Sequence, residues 1–147
     1  MPYSAKVSRP SRDKRLVLCI DDHRRGLHAR RLILQSAGYD VITASSGRIG
    51  LRLLGRYPVQ LVVLDYAMPE MNGEAVAREI RRTHPHVPIL MLSGQLDIPR
   101  RAASAADAFV AKGEPPAVLL GQLTALAAGQ SREHRLSKSL TMLEPTG

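Results

Sequence analysis

Five short apolar runs punctuate the chain: LVLCI (16–20), DVITA (40–44), LVVLD (61–65), PILMLS (88–93) and DAFVA (107–111). Each is continuous and rich in branched residues rather than alternating with polar ones, the pattern of strands covered on both faces. Between the runs, apolar positions recur at helical spacing. Residues 24–37 predict a helix that stops at Gly38, a residue suited to the left-handed turn after a helix. Residues 46–55 follow Ser45, a candidate N-cap, and run toward Pro58. Residues 73–83 follow Asn72 and place Val76, Ile80 and Thr83 on one stripe. A weaker pattern covers 97–105, and Pro115 and Pro116 open a last helix on which Leu119, Leu123 and Leu126 align. Strand and helix alternate throughout, which predicts a parallel sheet with helices on both faces.

Composition narrows the class. With 147 residues, 44% apolar and 23% charged, the chain reads as one globular domain. It holds no apolar stretch of membrane-spanning length and no secretory leader pattern. The single Cys19 sits inside an apolar run, which excludes a disulfide framework. It reads as a buried structural thiol in a reducing compartment, so a cytoplasmic location is expected. The net charge of +8 is uneven: residues 1–15 carry five Lys/Arg against one Asp. That composition predicts a disordered basic arm over 1–14, a folded body over 15–128 and a loose polar tail over 129–147.

In open parallel sheets, ligands bind beyond the C-terminal ends of the strands. The first strand ends in Asp21-Asp22, the third in Asp65, the fourth in Ser93-Gly94 and the fifth in Lys112. Three carboxylates at one rim repel one another unless a cation is present. Oxygen donors of this kind suit Mg²⁺, which keeps several waters and bridges to phosphate. A carboxylate in that setting can attack a phosphoryl group, with a hydroxyl and an ammonium holding its oxygens.

Asp21-Asp22, LDYAMPEMNG, Ser93-Gly94 and AFVAKG together resemble the receiver domain of two-component response regulators, over nearly all of residues 15–128. The resemblance implies a flavodoxin-like (βα)5 doubly wound parallel sheet of strand order 2-1-3-4-5. It implies that Asp65 is the phosphoacceptor, taking its phosphoryl group from a sensor histidine kinase or a phosphotransfer protein. Mg²⁺ would be held by Asp22, Asp65 and the backbone carbonyl of Ala67, with Asp21 acting through water. Ser93 and Lys112 would contact the phosphoryl group, Gly94 would leave its approach open, and Ser93 with Phe109 would form the switch. The family usually has Tyr or Phe at the switch; Phe109 lacks a hydroxyl, so an inward, buried ring is expected.

Two residues depart from the family pattern. Gly113 stands where Pro commonly follows the lysine, which predicts a differently built loop and bears on the reach of Lys112. His23 stands where an acidic residue is frequent and reads as a tolerated surface variant.

Bland roles compete with these assignments. Asp21 and Asp22 are suited to capping the first helix, and Ser93 to ending a strand. His84 and His86 flank Pro85 in a helix-ending loop without zinc spacing. The arginine pairs 24/25, 30/31, 81/82 and 100/101 read as solvated helix faces, and 3% aromatic content leaves no stacking platform for nucleic acid. The nineteen residues after 128 are too few for a helix-turn-helix reader, so a stand-alone receiver is expected. It would signal through residues 95–128 to a downstream protein, possible homodimerisation included, or serve as a phosphate shuttle or sink. It is expected to be no enzyme beyond losing its own phosphoryl group. An aspartyl-phosphate phosphatase would carry a second Asp at the position of Ala67. The remaining alternatives are a nucleic-acid binder using the basic arm and a non-phosphorylated scaffold.

Overall fold

The computed structural model describes residues 14–94 and 99–141. Five strands form one parallel sheet: β1 (Leu16–Ile20), β2 (Asp40–Ala44), β3 (Leu61–Asp65), β4 (Ile89–Ser93) and β5 (Ala108–Ala111). Their order is β2-β1-β3-β4-β5, with every pairing parallel. Five helices connect and close them: α1 (Arg24–Ser36), α2 (Gly47–Arg56), α3 (Gly73–Thr83), α4 (Arg100–Ala105) and α5 (Pro116–Thr141). The expected flavodoxin-like architecture is therefore the observed one.

The continuous apolar runs are explained by the two-sided core. Leu16, Leu18 and Ile20 of β1, with Val62 and Leu64 of β3, face Leu54 of α2, Val76 and Ile80 of α3 and Ala102 of α4. The intervening residues Val17, Cys19, Leu61 and Val63 face Leu27 and Leu34 of α1 and Leu119 and Leu123 of α5. Because side chains alternate across a strand, only a strand buried on both sides needs every residue apolar. Cys19 is wholly buried, and that burial pushes its thiol up to about 12, which keeps it unreactive at neutral pH.

Several local expectations shift by a residue or more. Ser46 rather than Ser45 caps α2, its hydroxyl accepting from the Ile49 N–H at 3.2 Å. Asn72 caps α3, its side-chain oxygen accepting from the Ala75 N–H at 3.0 Å. On α3 the buried stripe is Val76, Ala77 and Ile80; Thr83 is exposed, and its hydroxyl donates to the Glu79 carbonyl. Helix α4 starts at Arg100, after Pro99, whose fixed φ suits a helix entrance. Residues 97 and 98, where an earlier start was expected, lie outside the described residues.

Helix α5 runs on to Thr141, into the stretch 129–147 that was expected as a polar tail. The stretch 130–141 mixes good helix formers (Gln, Arg, Glu, Leu, Lys) with Ser, His and Thr, and meets no proline before Pro145. Residues 1–13 of the basic arm and 142–147 of the tail lie outside the described residues. No helix among the described residues is long and apolar enough to cross a membrane.

Two glycines answer to backbone geometry. Gly38 ends α1 with φ of 96°, the left-handed region. Gly73 meets the end of β3 so closely that a Cβ there would lie 2.6 Å from the Asp65 carbonyl oxygen and 2.7 Å from the Tyr66 Cα. Its N–H donates to the Tyr66 carbonyl at 2.8 Å. The neighbours it would strike are backbone, so the loop that carries Asp65 must move. Gly73→Ala is expected to lower stability by about 1–3 kcal/mol, the usual range for overpacking, read by urea unfolding. An unchanged midpoint would show that the loop gives way freely.

Candidate functional site

The sheet reverses its winding between β1 and β3, and the acidic residues emerge there. Ile20 pairs with Leu64, so Asp21 follows β1 beside Asp65 at the end of β3. Asp21 is fully buried and Asp65 is 2% exposed, whereas Asp22 is open to solvent. Carboxylate oxygens of all three lie within 4.8 Å of one another. From the far side of the sheet comes Lys112, whose N–H donates to the Ser93 carbonyl at 2.9 Å as β5 leaves the sheet. Its Nζ lies 3.1 Å from Asp65 Oδ1 and 3.3 Å from Asp21 Oδ2.

The loop after Lys112 keeps this reach without proline. The Glu114 N–H donates to the Ala111 carbonyl at 3.1 Å, and no peptide bond among the described residues is cis. Ser93 is buried at the end of β4, and a Cβ on Gly94 would meet only open space. Ala67 lies exposed two residues beyond Asp65. Phe109 is half-buried against the α2–α4 face of the core, less enclosed than expected. The cause is position: β5 is an edge strand, and α4, with six residues, covers little of it.

The acidic pair does not cap α1. His23 does, its Nδ1 accepting from the Gly26 N–H at 3.1 Å, while Asp21 Oδ1 accepts from the His23 N–H at 2.9 Å. The residue read from sequence as a tolerated variant thus starts the helix and leaves Asp22 free of that duty. A second correction concerns the arginines. Arg30 is not a solvated face: its side chain is 12% exposed, and Nη1 lies 3.1 Å from Asp21 Oδ2. Leu27 and Leu34 flank it on the buried side of α1. A cation three residues after one core leucine and four before the next was the available signal. Arg81 also turns inward, pairing with Asp107 at 2.8 Å and donating to the Ala105 carbonyl.

The two buried acids are held in opposite directions. Burial resists ionisation of Asp21, but the His23 N–H, the Lys112 ammonium and the Arg30 guanidinium outweigh it and hold the carboxyl below its ordinary 3.8. Burial pushes Asp65 above that value, the Asp21 charge adds to the effect, and Lys112 offsets only part of it. Asp21 therefore stabilises the fold above its unfolded pKa, and that contribution is lost as pH falls through its depressed value. Ionised Asp65 opposes folding, and the penalty is relieved as pH falls from its raised value toward 3.8. Melts of metal-free protein are expected to show a rise on mild acidification before the acid collapse, and Asp65→Asn is expected to lack the rise. A rise of equal size in Asp65→Asn would assign it to another group.

One further atom distinguishes Asp65. Its Oδ1 is buried, and the polar group that meets it is the Lys112 ammonium at 3.1 Å. The three converging carboxylates, one of them open to solvent, fit a hard divalent cation.

A family model described as the response regulator receiver domain matches residues 17–124. The transcriptional regulatory protein GlrR of Escherichia coli is 40% identical over 88 residues, which is 60% of this chain and 20% of that protein. AfsQ1 of Streptomyces coelicolor, also a transcriptional regulatory protein, is 35% identical over 130 residues, 86% of this chain and 57% of its own length. The chain thus spans about a fifth of the one and just over half of the other. Among solved structures, the response regulator TrrA of Thermotoga maritima in complex with Mg²⁺-BeF is 28% identical. It aligns with a TM-score of 0.71 over 76% of this chain and 98% of that one. A CheY-like receiver from Methanospirillum hungatei shares the fold, with a TM-score of 0.78 at 24% identity, over 82% of this chain and 98% of that one.

Proposed function

We propose a function that starts from a plain fact: this chain belongs to the family of response regulator receiver domains. Asp65 accepts a phosphoryl group from the phosphohistidine of a sensor histidine kinase or a phosphotransfer protein. A carboxylate oxygen of Asp65 attacks phosphorus, the P–N bond breaks, and its electron pair returns to the donor imidazole, leaving an acyl phosphate on Asp65. The observation that carries this reading is the convergence of three carboxylates at one rim with the Lys112 ammonium 3.1 Å from the buried Asp65 Oδ1.

The surrounding residues divide the work. Lys112 Nζ, already between the two buried acids, holds a phosphoryl oxygen and offsets the charge that arrives with it. The Ser93 hydroxyl, at the end of the neighbouring strand, holds a second, and Gly94 leaves room for the donor to approach. Asp22, Asp65 and the Ala67 carbonyl would hold Mg²⁺, with Asp21 acting through water. When bound, that ion neutralises the clustered carboxylates and the phosphoryl oxygens. TrrA, which shares this fold, has been captured with Mg²⁺-BeF.

The output is a contact made by the receiver surface. Ser93 and Phe109 relay the phosphoryl state to the face formed by α4, β5 and the start of α5, within residues 95–128; 95–98 lie outside the described residues. Coupling of this kind amounts to about 1–3 kcal/mol. A downstream protein or a second copy is the proposed reader, and a shuttle or sink role uses the same chemistry without one. The proposed location is the cytoplasm. Turnover of outside substrates is not proposed, since Ala67 offers no acid or base. The curated relatives extend well beyond the matched part.

Incubation with acetyl phosphate tests the reading on a phosphate-affinity gel. A retarded band is expected with Mg²⁺ and none with EDTA. An unretarded band in both would leave a scaffold whose site is idle.

A further inference from the structure

Asp21 has no idle oxygen. Oδ1 accepts from the His23 N–H, and Oδ2 faces both the Lys112 ammonium at 3.3 Å and the Arg30 guanidinium at 3.1 Å. Lys112 comes from the strand ends, as the phosphoryl chemistry requires. Arg30 comes from α1, where the helical repeat places it between the buried Leu27 and Leu34. A long charged side chain at such a position is expensive to desolvate, and only a buried partner offsets it. Three carboxylates and two cations leave the pocket with one net negative charge; without Arg30 it would carry two.

We propose that Arg30 is a built-in counter-ion that sets the Mg²⁺ affinity of the acidic pocket, a positioning residue acting through Asp21. The inference rests on the phosphoacceptor reading above and deepens it. While Arg30 holds Asp21, the pocket is largely neutralised from within and the fold does not depend on the ion. Mg²⁺ must then compete with a guanidinium already in place for the same carboxylate. The trade is a weaker hold on the ion at rest for a domain that stays folded without it.

Calorimetric Mg²⁺ titrations and paired melts of the full chain test this. Arg30→Gln is expected to bind Mg²⁺ about tenfold more tightly, a modest response of a divalent ion to one lost unit charge near a protein surface. Its melting temperature is expected to fall in metal-free buffer, and the deficit to shrink at saturating Mg²⁺. Arg30→Lys, which keeps the charge, is expected to bind close to wild type. Two results would overturn the proposal: an Arg30→Gln affinity equal to or weaker than wild type, or a melting deficit that Mg²⁺ leaves unchanged, which is what a merely structural arginine would give. Tightening in Arg30→Lys as large as in Arg30→Gln would also overturn it, since charge would not be the cause. Should Arg30→Gln be unfolded without metal, circular dichroism decides: recovery of the fold on adding Mg²⁺ supports the proposal, and none overturns it. A wild-type chain that binds no Mg²⁺ would instead overturn the metal site itself, together with this inference.

Discussion

Asp65→Asn is expected to abolish phosphoryl uptake and, in metal-free buffer at neutral pH, to raise the melting temperature. Both follow from one environment. The carboxylate is the nucleophile, and an amide in its place has no charge to attack with. The same carboxylate is buried beside Asp21 and held above its ordinary pKa, so its ionised form opposes folding. Asparagine keeps the shape and removes the charge. Gains of this kind are a signature of residues kept for chemistry rather than stability. A gel without the retarded band and a melt moved upward would satisfy the expectation; a melt moved downward would mean that Asp65 also holds the fold together.

Lys112→Ala is expected to produce the opposite pattern. Lys112 touches both buried acids, and losing a donor that stabilises developing charge typically slows reaction about 10²–10³-fold. Stability falls as well, because Asp21 and Asp65 then face each other with Arg30 and the His23 N–H supporting Asp21 alone among the described residues. Breaking a fully buried pair costs roughly 3–5 kcal/mol. The Lys112 side chain is 32% exposed, which reduces the expected loss to about 1–3 kcal/mol. Mg²⁺ is expected to restore much of the stability and little of the phosphorylation rate, since the ion replaces the missing charge but not the hold on the phosphoryl oxygen. Urea midpoints and acetyl phosphate time courses, each with and without Mg²⁺, read the two effects apart. If Mg²⁺ restored the rate along with the fold, Lys112 would be a structural counter-ion only.

The sequence carried the frame of this protein because its strands are buried twice over. LVLCI and LVVLD have no polar position to spare, and each delivers an aspartate at its end. Parallel order then brought Asp21, Asp65, Ser93 and Lys112 to one rim. Less legible were the features set by contacts between distant segments. Arg30 looked like its neighbour Arg31 until the fold placed Asp21 beneath it. His23 showed no capping signal of its own, since histidine is rarely recruited for that duty. The close approach of Gly73 to the backbone of β3 could be known only once α3 was docked.

The central claim is that a phosphoryl group resides on Asp65. Treatment of the wild-type chain with acetyl phosphate and Mg²⁺, followed by tryptic mass mapping under acidic conditions, tests it most directly. One phosphoryl group is expected, on the peptide spanning residues 57–78 that lies between Arg56 and Arg78, and hydroxylamine is expected to remove it as it removes acyl phosphates. Phosphate found on a serine, on a histidine or on any peptide lacking Asp65 would contradict the account, as would a chain that gains no mass at all.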